Sequence, residues 1–311
     1  MSDKSHALDI YAAIKTDTHM YIKCRLLRKS LFGTDYNKGV INSIITTFKA
    51  ALTKELAHTS VQLIISGKSI PLVTDDEGYL EWMTSEKELL SGSAADISIA
   101  VDDSDHIFSI NLIQYNEEIE RGVISDIDDT ILMTNVKSLF KLKMVFNSVF
   151  LNPFRRKPID KSADLYRRLR GDVKVNMPII YISNSPWNMY YYLQSFLKHN
   201  KFPSGILLLR DFGLQMLQKK KPLELQNKFL LVEKMLTIFP ETKFTLIGDS
   251  AEHDYDIYMK IMYRYPDRVK DIIIRTASNN DNEKRIRESI AASSEDNVKV
   301  VSSYDEILLL Q

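Results

Sequence analysis

The segment VISDIDDTILMT, residues 123–134, places three carboxylates and a hydroxyl directly after a short apolar run. These groups belong to Asp126, Asp128, Asp129 and Thr130. Like charges in one place repel unless a cation lies among them or their repulsion tunes their acidity. Residues two apart on an extended chain point to the same side, so Asp126 and Asp128 can serve one site. The pattern therefore indicates a charged functional site.

Polar side chains also follow the later apolar runs. Ser183 and Asn184 follow PIIYI, Asp249 follows KFTLIG, and Asp254 comes five residues later. Lys228 is expected to open the helix that precedes the KFTLIG strand. Because active sites of α/β sheets gather at the carboxyl ends of strands, we expect these residues to meet the first motif at one edge of a sheet.

Carboxylate, lysine and hydroxyl groups in one place suit phosphoryl transfer. One carboxylate can act as a nucleophile and form a covalent intermediate, which divides a difficult hydrolysis into two steps. A second can protonate the leaving group and then activate water. Mg²⁺ takes oxygen ligands and would offset the repulsion, while a lysine and a hydroxyl would stabilise the phosphoryl oxygens. The set predicts hydrolysis through an aspartyl phosphate.

The elements that must position these residues read as an α/β fold from residue 123 onward. Apolar runs without alternation, typical of buried parallel strands, occur at GVISDID, PIIYIS, GILLL, KFTLIG and DIIIR. Helical patterns lie between them at ADLYRRLR, WNMYYYLQSFLKH and NKFLLVEKMLTIF. Strand and helix in alternation predict a doubly wound, mostly parallel sheet.

The first third of the chain has the pattern of short strands. MYIKCRL alternates like a half-buried strand, residues 40–52 repeat apolar groups at helical spacing, and residues 70–82 predict two extended pieces joined by a hairpin turn. Regular short strands predict a small antiparallel sandwich or barrel. We therefore expect a β-rich domain at 1–118 and an α/β domain at 119–311.

Composition limits the function classes. Among 311 residues, 44% are apolar, and 41 basic residues balance 41 acidic ones, so no overall field attracts nucleic acid or anionic membrane. The single cysteine excludes a disulfide within the chain and favours a reducing compartment. The first residues lack a signal-peptide pattern, and no apolar run approaches the ~18 residues of a membrane span. We expect a cytoplasmic protein without a transmembrane segment, with peripheral membrane contact as an alternative.

Several motifs resemble a known family. SDIDDTI is similar to the first motif of the haloacid dehalogenase superfamily. Within that superfamily, ISDIDDTI, YISNSPWN, FPSGILLLRDFG and FPETKFTLIGDSAEHDYDIY resemble the actin-patch-associated phosphatidate phosphatase family, over about residues 120–280. The resemblance implies a haloacid dehalogenase-type sheet that carries a Mg²⁺-dependent phosphatase site, preceded by the smaller β-rich domain.

The resemblance also implies the catalytic roles. Asp126 would be the nucleophile and a Mg²⁺ ligand, and Asp128 would be the acid and base, with its main-chain carbonyl also facing the metal. Lys228 would stabilise the phosphoryl oxygens. Protein partners cannot be read from the motifs.

The remaining site residues divide into metal ligands and substrate-binding groups. Asp249 would hold the metal, with Asp254 as a further ligand or as an orienting residue. Ser183 would bind the phosphoryl oxygens, and Thr130 and Asn184 are candidate substrate-binding residues beside it.

The segment 136–158 bears on the substrate. It contains six basic residues, no acidic residue and four phenylalanines, at the place where superfamily members have a cap or flap. Such a segment could contact an anionic lipid surface, form part of the core, or act as a basic lid over a soluble phosphate. The first hypothesis is a phosphatidate phosphatase that yields diacylglycerol and phosphate. The alternatives are a phosphatase acting on a soluble phosphate monoester and a non-catalytic lipid-binding scaffold.

Overall fold

The fold was obtained as a computed structural model, which describes residues 6–28, 56–91, 97–102, 104–115, 119–133, 157–171, 177–210, 222–250, 253–276, 281–293 and 295–309. The predicted helix at 40–52 lies outside these residues, as does the predicted cap or flap at 136–158 apart from its last two residues. The chain forms two compact units. Unit 1 comprises residues 1–118, 212–217 and 237–240, and unit 2 comprises 119–211, 218–236 and 241–311. That these two units correspond to the two predicted domains, 1–118 and 119–311, stays a prediction.

Unit 1 contains two four-stranded sheets. Its elements are β1 Ala7–Lys15, β2 Met20–Leu27, β3 Ser60–Ile65, β4 Lys68–Val73, β5 Tyr79–Thr84, helix α1 Lys87–Leu90, β6 Ile97–Val101, β7 Ile107–Ser109 and β8 Ile113–Gln114. The sheet orders are β5-β2-β1-β8 and β4-β3-β6-β7. All pairs are antiparallel except β1 with β8, which is parallel.

The alternating apolar residues of β2 face one core, but the prediction of a half-buried strand is wrong, because all 8 residues of β2 are buried. Met20, Ile22, Cys24 and Leu26 are all buried and belong to one apolar cluster. The same cluster contains β3 and β6 side chains from the other sheet. The two sheets therefore share one core, as expected of a small sandwich.

The predicted hairpin at 70–82 is wrong in its pairing. A turn does form, because Asp75 Oδ1 accepts hydrogen bonds from the main-chain nitrogens of Glu77 and Tyr79, at 2.9 and 2.8 Å. However, β4 pairs with β3 and β5 pairs with β2, so the turn connects two sheets. Turn chemistry specifies the reversal of the chain and leaves open which strands pair.

Unit 2 has the predicted alternation of strand and helix. Its elements are β9 Arg121–Asp126, α2 Ser162–Arg170, β10 Ile179–Pro186, α3 Tyr190–His199, β11 Ile206–Arg210, α4 Pro222–Ile238, β12 Lys243–Asp249, α5 Asp254–Arg264, β13 Val269–Arg275, α6 Asp281–Ser293, β14 Val298–Val301 and α7 Asp305–Leu309. None of the helices in the described residues combines the length and the hydropathy of a membrane span.

The six strands of unit 2 form one parallel sheet in the order β11-β10-β9-β12-β13-β14. The prediction of a parallel α/β sheet is confirmed. The chain proceeds from β9 outward to β11 on one side and then from β12 outward to β14 on the other. Ligands bind α/β sheets at such a switch in direction, beyond the carboxyl ends of the strands. The carboxyl end of β9 lies at this switch.

Candidate active site

The sheet register brings the predicted residues to one edge. Asp126 is the last residue of β9 and lies opposite Ile182, so Ser183 follows at the same level on β10. Asp249 is the last residue of β12, the neighbour of β9 on the other side. Neighbouring strands are about 4.8 Å apart. The ends of β9, β10 and β12 therefore form one continuous polar edge.

Lys228 is the buried cation of this edge. Its Nζ donates to Asp126 Oδ1 at 2.8 Å and also contacts Asp254 Oδ1. Lys228 is only 2% exposed, and both carboxylates are fully buried. Buried charges are stable only when paired, so the ammonium and the two carboxylates depend on one another. The helix that carries Lys228 begins at Pro222, so the prediction that this lysine opens the helix is wrong.

Gly248 makes room for Asp254. A Cβ atom added at Gly248 would lie 2.6 Å from the Cβ of Asp254, closer than real contacts allow. The absent side chain lets the start of α5 approach the end of β12. Asp254 Oδ2 then accepts a hydrogen bond from the Asp249 main-chain nitrogen at 3.2 Å. Asp254 thus joins Lys228 to the end of β12.

Asp128 is held by two serines. Its Oδ2 accepts hydrogen bonds from Ser183 Oγ at 2.8 Å and Ser185 Oγ at 3.4 Å. The Ser185 main-chain nitrogen donates to Ser183 Oγ at 2.9 Å, which fixes the hydroxyl of Ser183. The predicted phosphate-binding serine therefore also orients the predicted acid and base. Ser185, inside the SNSPWN motif, was not predicted as a site residue.

Thr130 and Asn184 lie next to these groups. The Thr130 side chain is buried, and its Oγ1 has no hydrogen-bond partner in the described part of the chain. Asn184 is partly exposed and lies where the pairing of β10 with β11 shifts, between Ser183 and Pro186. Such irregularities redirect side chains and are frequent next to active sites. Both positions are compatible with substrate binding, which stays a prediction.

Buried tyrosines form hydrogen bonds with the strand residues next to this edge. Tyr258 donates to the Ile247 carbonyl at 3.2 Å. Burial, and then the negative charge of Asp254, raise the pKa of Tyr258 well above its ordinary value. Tyr166 contacts Ser125 Oγ, which donates to the Asp126 carbonyl at 2.6 Å. These hydroxyls stay neutral and hydrogen-bond the strand ends.

The donor set suits Mg²⁺. Among the described residues, the carboxylates of Asp126, Asp128, Asp249 and Asp254 outnumber the cations Lys228 and Arg275 at this edge. Oxygen ligands are those that Mg²⁺ prefers. Among the residues that the structure covers, no three His, Cys, Asp or Glu side chains form a ready metal site. This does not conflict with Mg²⁺, which commonly takes one or two carboxylates and completes its shell with water and phosphate oxygens. Asp126 and Asp249, at the ends of neighbouring strands, could hold the ion, and the ligand roles of these residues and of Asp128 and Asp254 stay predictions.

Comparisons with known proteins cover this same part of the chain. A family model described as the catalytic domain of phosphatidate phosphatase APP1 matches residues 121–276. Phosphatidate phosphatase APP1 of Saccharomyces cerevisiae is 32% identical over 158 residues, which are 51% of this chain and 26% of that protein. An uncharacterised protein of Schizosaccharomyces pombe is 28% identical over 155 residues, 50% of this chain and 25% of that one.

A solved structure also matches, a mutant ferredoxin-NADP+ reductase from Plasmodium falciparum, with 10% identity over 94% of each chain and a TM-score of 0.20, too low to support an argument. This chain spans about a quarter of the length of the two curated relatives. The matched residues 121–276 make up half of the chain and include the whole edge from Asp126 to Arg275. The chain therefore belongs to the phosphatidate phosphatase APP1 family through its phosphatase catalytic domain.

Proposed function

We propose that this chain is a Mg²⁺-dependent phosphatidate phosphatase of the haloacid dehalogenase type, which hydrolyses a lipid phosphate monoester to diacylglycerol and phosphate. One observation carries the proposal. A buried lysine holds Asp126 and Asp254 together at the switch point of a parallel sheet. An aspartate nucleophile needs a fixed carboxylate with a cation beside it, and this arrangement provides both.

The first step forms a covalent intermediate. A carboxylate oxygen of Asp126 attacks phosphorus, and the bond from phosphorus to the diacylglycerol oxygen breaks. Asp128 in its acid form gives its proton to that leaving oxygen. Both serines donate to Oδ2 of Asp128, and we therefore assign the acid proton to Oδ1 in this proposal. Lys228 stabilises negative charge next to Asp126 while the phosphoryl group transfers.

The second step restores the enzyme. Asp128, now ionised, takes a proton from water, and the resulting hydroxide attacks the phosphorus of the aspartyl phosphate. The bond between phosphorus and Asp126 breaks, and inorganic phosphate leaves. Asp126 and Asp249 would hold Mg²⁺, which when bound supplies positive charge against the phosphoryl oxygens. Asp254, whose two oxygens accept from Lys228 and from the Asp249 main chain, would orient these groups.

The lipid substrate is supported by the relative from Saccharomyces cerevisiae, whose name states phosphatidate phosphatase. Phosphatidate resides in membranes, so the proposal places the protein in the cytoplasm with peripheral binding to membrane surfaces. The segment at 136–158 is the proposed contact, because basic and aromatic side chains bind anionic lipid surfaces.

The test is phosphate release from phosphatidate in mixed micelles and from 4-nitrophenyl phosphate, each with Mg²⁺ and with a chelator. We expect Mg²⁺-dependent turnover of phosphatidate that falls at least about 10³-fold in Asp126→Asn. Asp164→Asn, at a half-exposed aspartate paired with Arg167 on α2, is the matched control and should retain full activity. Turnover of the aryl phosphate alone would favour a soluble substrate. Inactivity on both by a folded protein would favour the scaffold.

A further inference from the structure

Arg275 has a position that the sequence-based hypothesis did not use. It is the last residue of β13 and lies directly opposite Asp249 in the parallel register. The Arg275 side chain is therefore attached to the backbone at the same edge of the sheet as the proposed catalytic carboxylates. The pattern DIIIR predicted the strand and gave no role to the arginine that ends it.

Arg275 binds the loop that carries the proposed acid and base. We call residues 127–132 the acid loop. Arg275 Nη1 donates to the main-chain oxygen of Asp129 at 3.0 Å. Asp129 has a φ of +52°, a left-handed conformation that glycine adopts freely and aspartate adopts only occasionally. Such a conformation persists where surrounding groups hold it. Arg275 contributes to that support at the residue after Asp128.

The rest of the acid loop is held by other contacts. Tyr304 donates to the Thr130 carbonyl at 2.9 Å. The main-chain nitrogens of Ile131 and Leu132 both donate to the Ile127 carbonyl, at 2.8 and 3.0 Å. These bonds close the turn after Asp129. The Asp129 main-chain nitrogen donates to the Leu132 carbonyl at 2.8 Å, and Arg275 binds the Asp129 main-chain oxygen. A change in the backbone at Asp129 moves Asp128, because the two residues share a peptide bond.

The charge of Arg275 also reaches the acidic edge. Burial is the main reason that the pKa of Tyr304 is raised, and Arg275 opposes this increase while Asp249 and Asp126 add to it. The hydroxyl thus lies within electrostatic range of the guanidinium and of the carboxylates.

We propose that Arg275 is a positioning residue that holds the acid loop in its left-handed turn and so places Asp128 for proton transfer. This inference rests on the proposed function, since it assigns a role in that same reaction. It predicts an effect on kcat with little effect on KM, because in this role Arg275 would act on the reaction only through Asp128.

The kinetic test is Arg275→Met. Misplacement of a catalytic group by about 1 Å can cost 10²-fold, so we expect kcat on both phosphates to fall about 10- to 100-fold, with KM within about twofold. Arg268→Met is the matched control. Arg268, just before the other end of β13, also donates to main-chain oxygens, those of Thr242 and Leu236, at 3.2 and 3.1 Å. We expect this control to retain kcat.

A second background separates positioning from general stability. Glycine adopts a left-handed turn without strain, so Asp129→Gly should reduce the kcat loss caused by Arg275→Met to less than about threefold. An equal loss in both backgrounds would overturn the inference. A rise in KM with unchanged kcat would overturn it too, because it would indicate substrate binding.

Hydrogen exchange tests the inference apart from activity. In Arg275→Met, the amides of Ile131 and Leu132 should exchange at least about tenfold faster than in wild type and in Arg268→Met, because the acid loop opens more often. Unchanged exchange in the folded variant would overturn the inference. Wild-type protein that is inactive on both phosphates would instead contradict the proposed function, so the two failures are distinguishable.

Discussion

Lys228 is the cation on which two buried carboxylates depend, and its replacement by methionine gives a sharp prediction. The methionine keeps most of the volume and removes the ammonium, so Asp126 and Asp254 remain buried without their counter-charge. Removing one partner of a buried ion pair costs about 3–5 kcal/mol. For a folded unit of about 150–250 residues, each kcal/mol lowers Tm by about 2–4 °C. We therefore expect Tm to fall by about 6–20 °C.

The assay is thermal unfolding followed by circular dichroism, together with kcat on both phosphates. We expect kcat to fall at least about 10²-fold, because a group that stabilises transferring charge is lost. Lys260→Met, at an exposed lysine of α5, is the matched control and should change neither quantity. The double variant Lys228→Met with Asp254→Asn should recover part of the lost Tm, since one uncompensated charge is removed. A Tm within about 2 °C of wild type in Lys228→Met would refute the reasoning.

Two further predictions concern glycine packing and the cysteine. Gly248→Ala should lower kcat at least about tenfold, because its Cβ displaces Asp254. Gly122→Ala, whose Cβ would lie 2.7 Å from Phe244 Cδ1 at the other end of β9, should cost similar stability, about 1–3 kcal/mol, without that loss of kcat. Burial, then the charge of Asp9, raise the pKa of the Cys24 thiol from 9.0 to about 12. The protonated thiol thus contributes stability below pH 9, and this stability is lost as the pH rises toward 12. At pH 8.5, iodoacetamide should label Cys24 only as urea unfolds unit 1. Rapid labelling of the folded protein would contradict the burial of Cys24.

Much of the sheet could be predicted because buried parallel strands have a simple sequence pattern. Their apolar runs are buried on both faces, and polar groups follow each run where the strands end at a common edge. That rule predicted that Asp126, Asp128 and Ser183 lie at one edge, and the structure shows Asp128 in contact with Ser183. Lys228, which lies within α4, contacts Asp126 and Asp254 at the same edge. Their chemical roles stay predictions.

The errors came from features that local sequence does not specify. The turn at residues 75–78 was visible, yet the partners of β4 and β5 depend on which faces meet in the core of unit 1. The left-handed backbone at Asp129 has no signature in DIDDT, so the contact from Arg275 could not be foreseen. Side chains that bind main-chain oxygens across the fold become visible only in three dimensions.

The most direct test of the account is to identify the phosphorylated residue. Wild-type protein would be mixed with radiolabelled phosphatidate and Mg²⁺, quenched in acid within milliseconds and digested, and the label would be mapped by mass spectrometry. The account predicts an acid-stable, hydroxylamine-sensitive acyl phosphate on Asp126, absent from Asp126→Asn. Label on another residue, or steady release of phosphate with no labelled protein at any quench time, would contradict it.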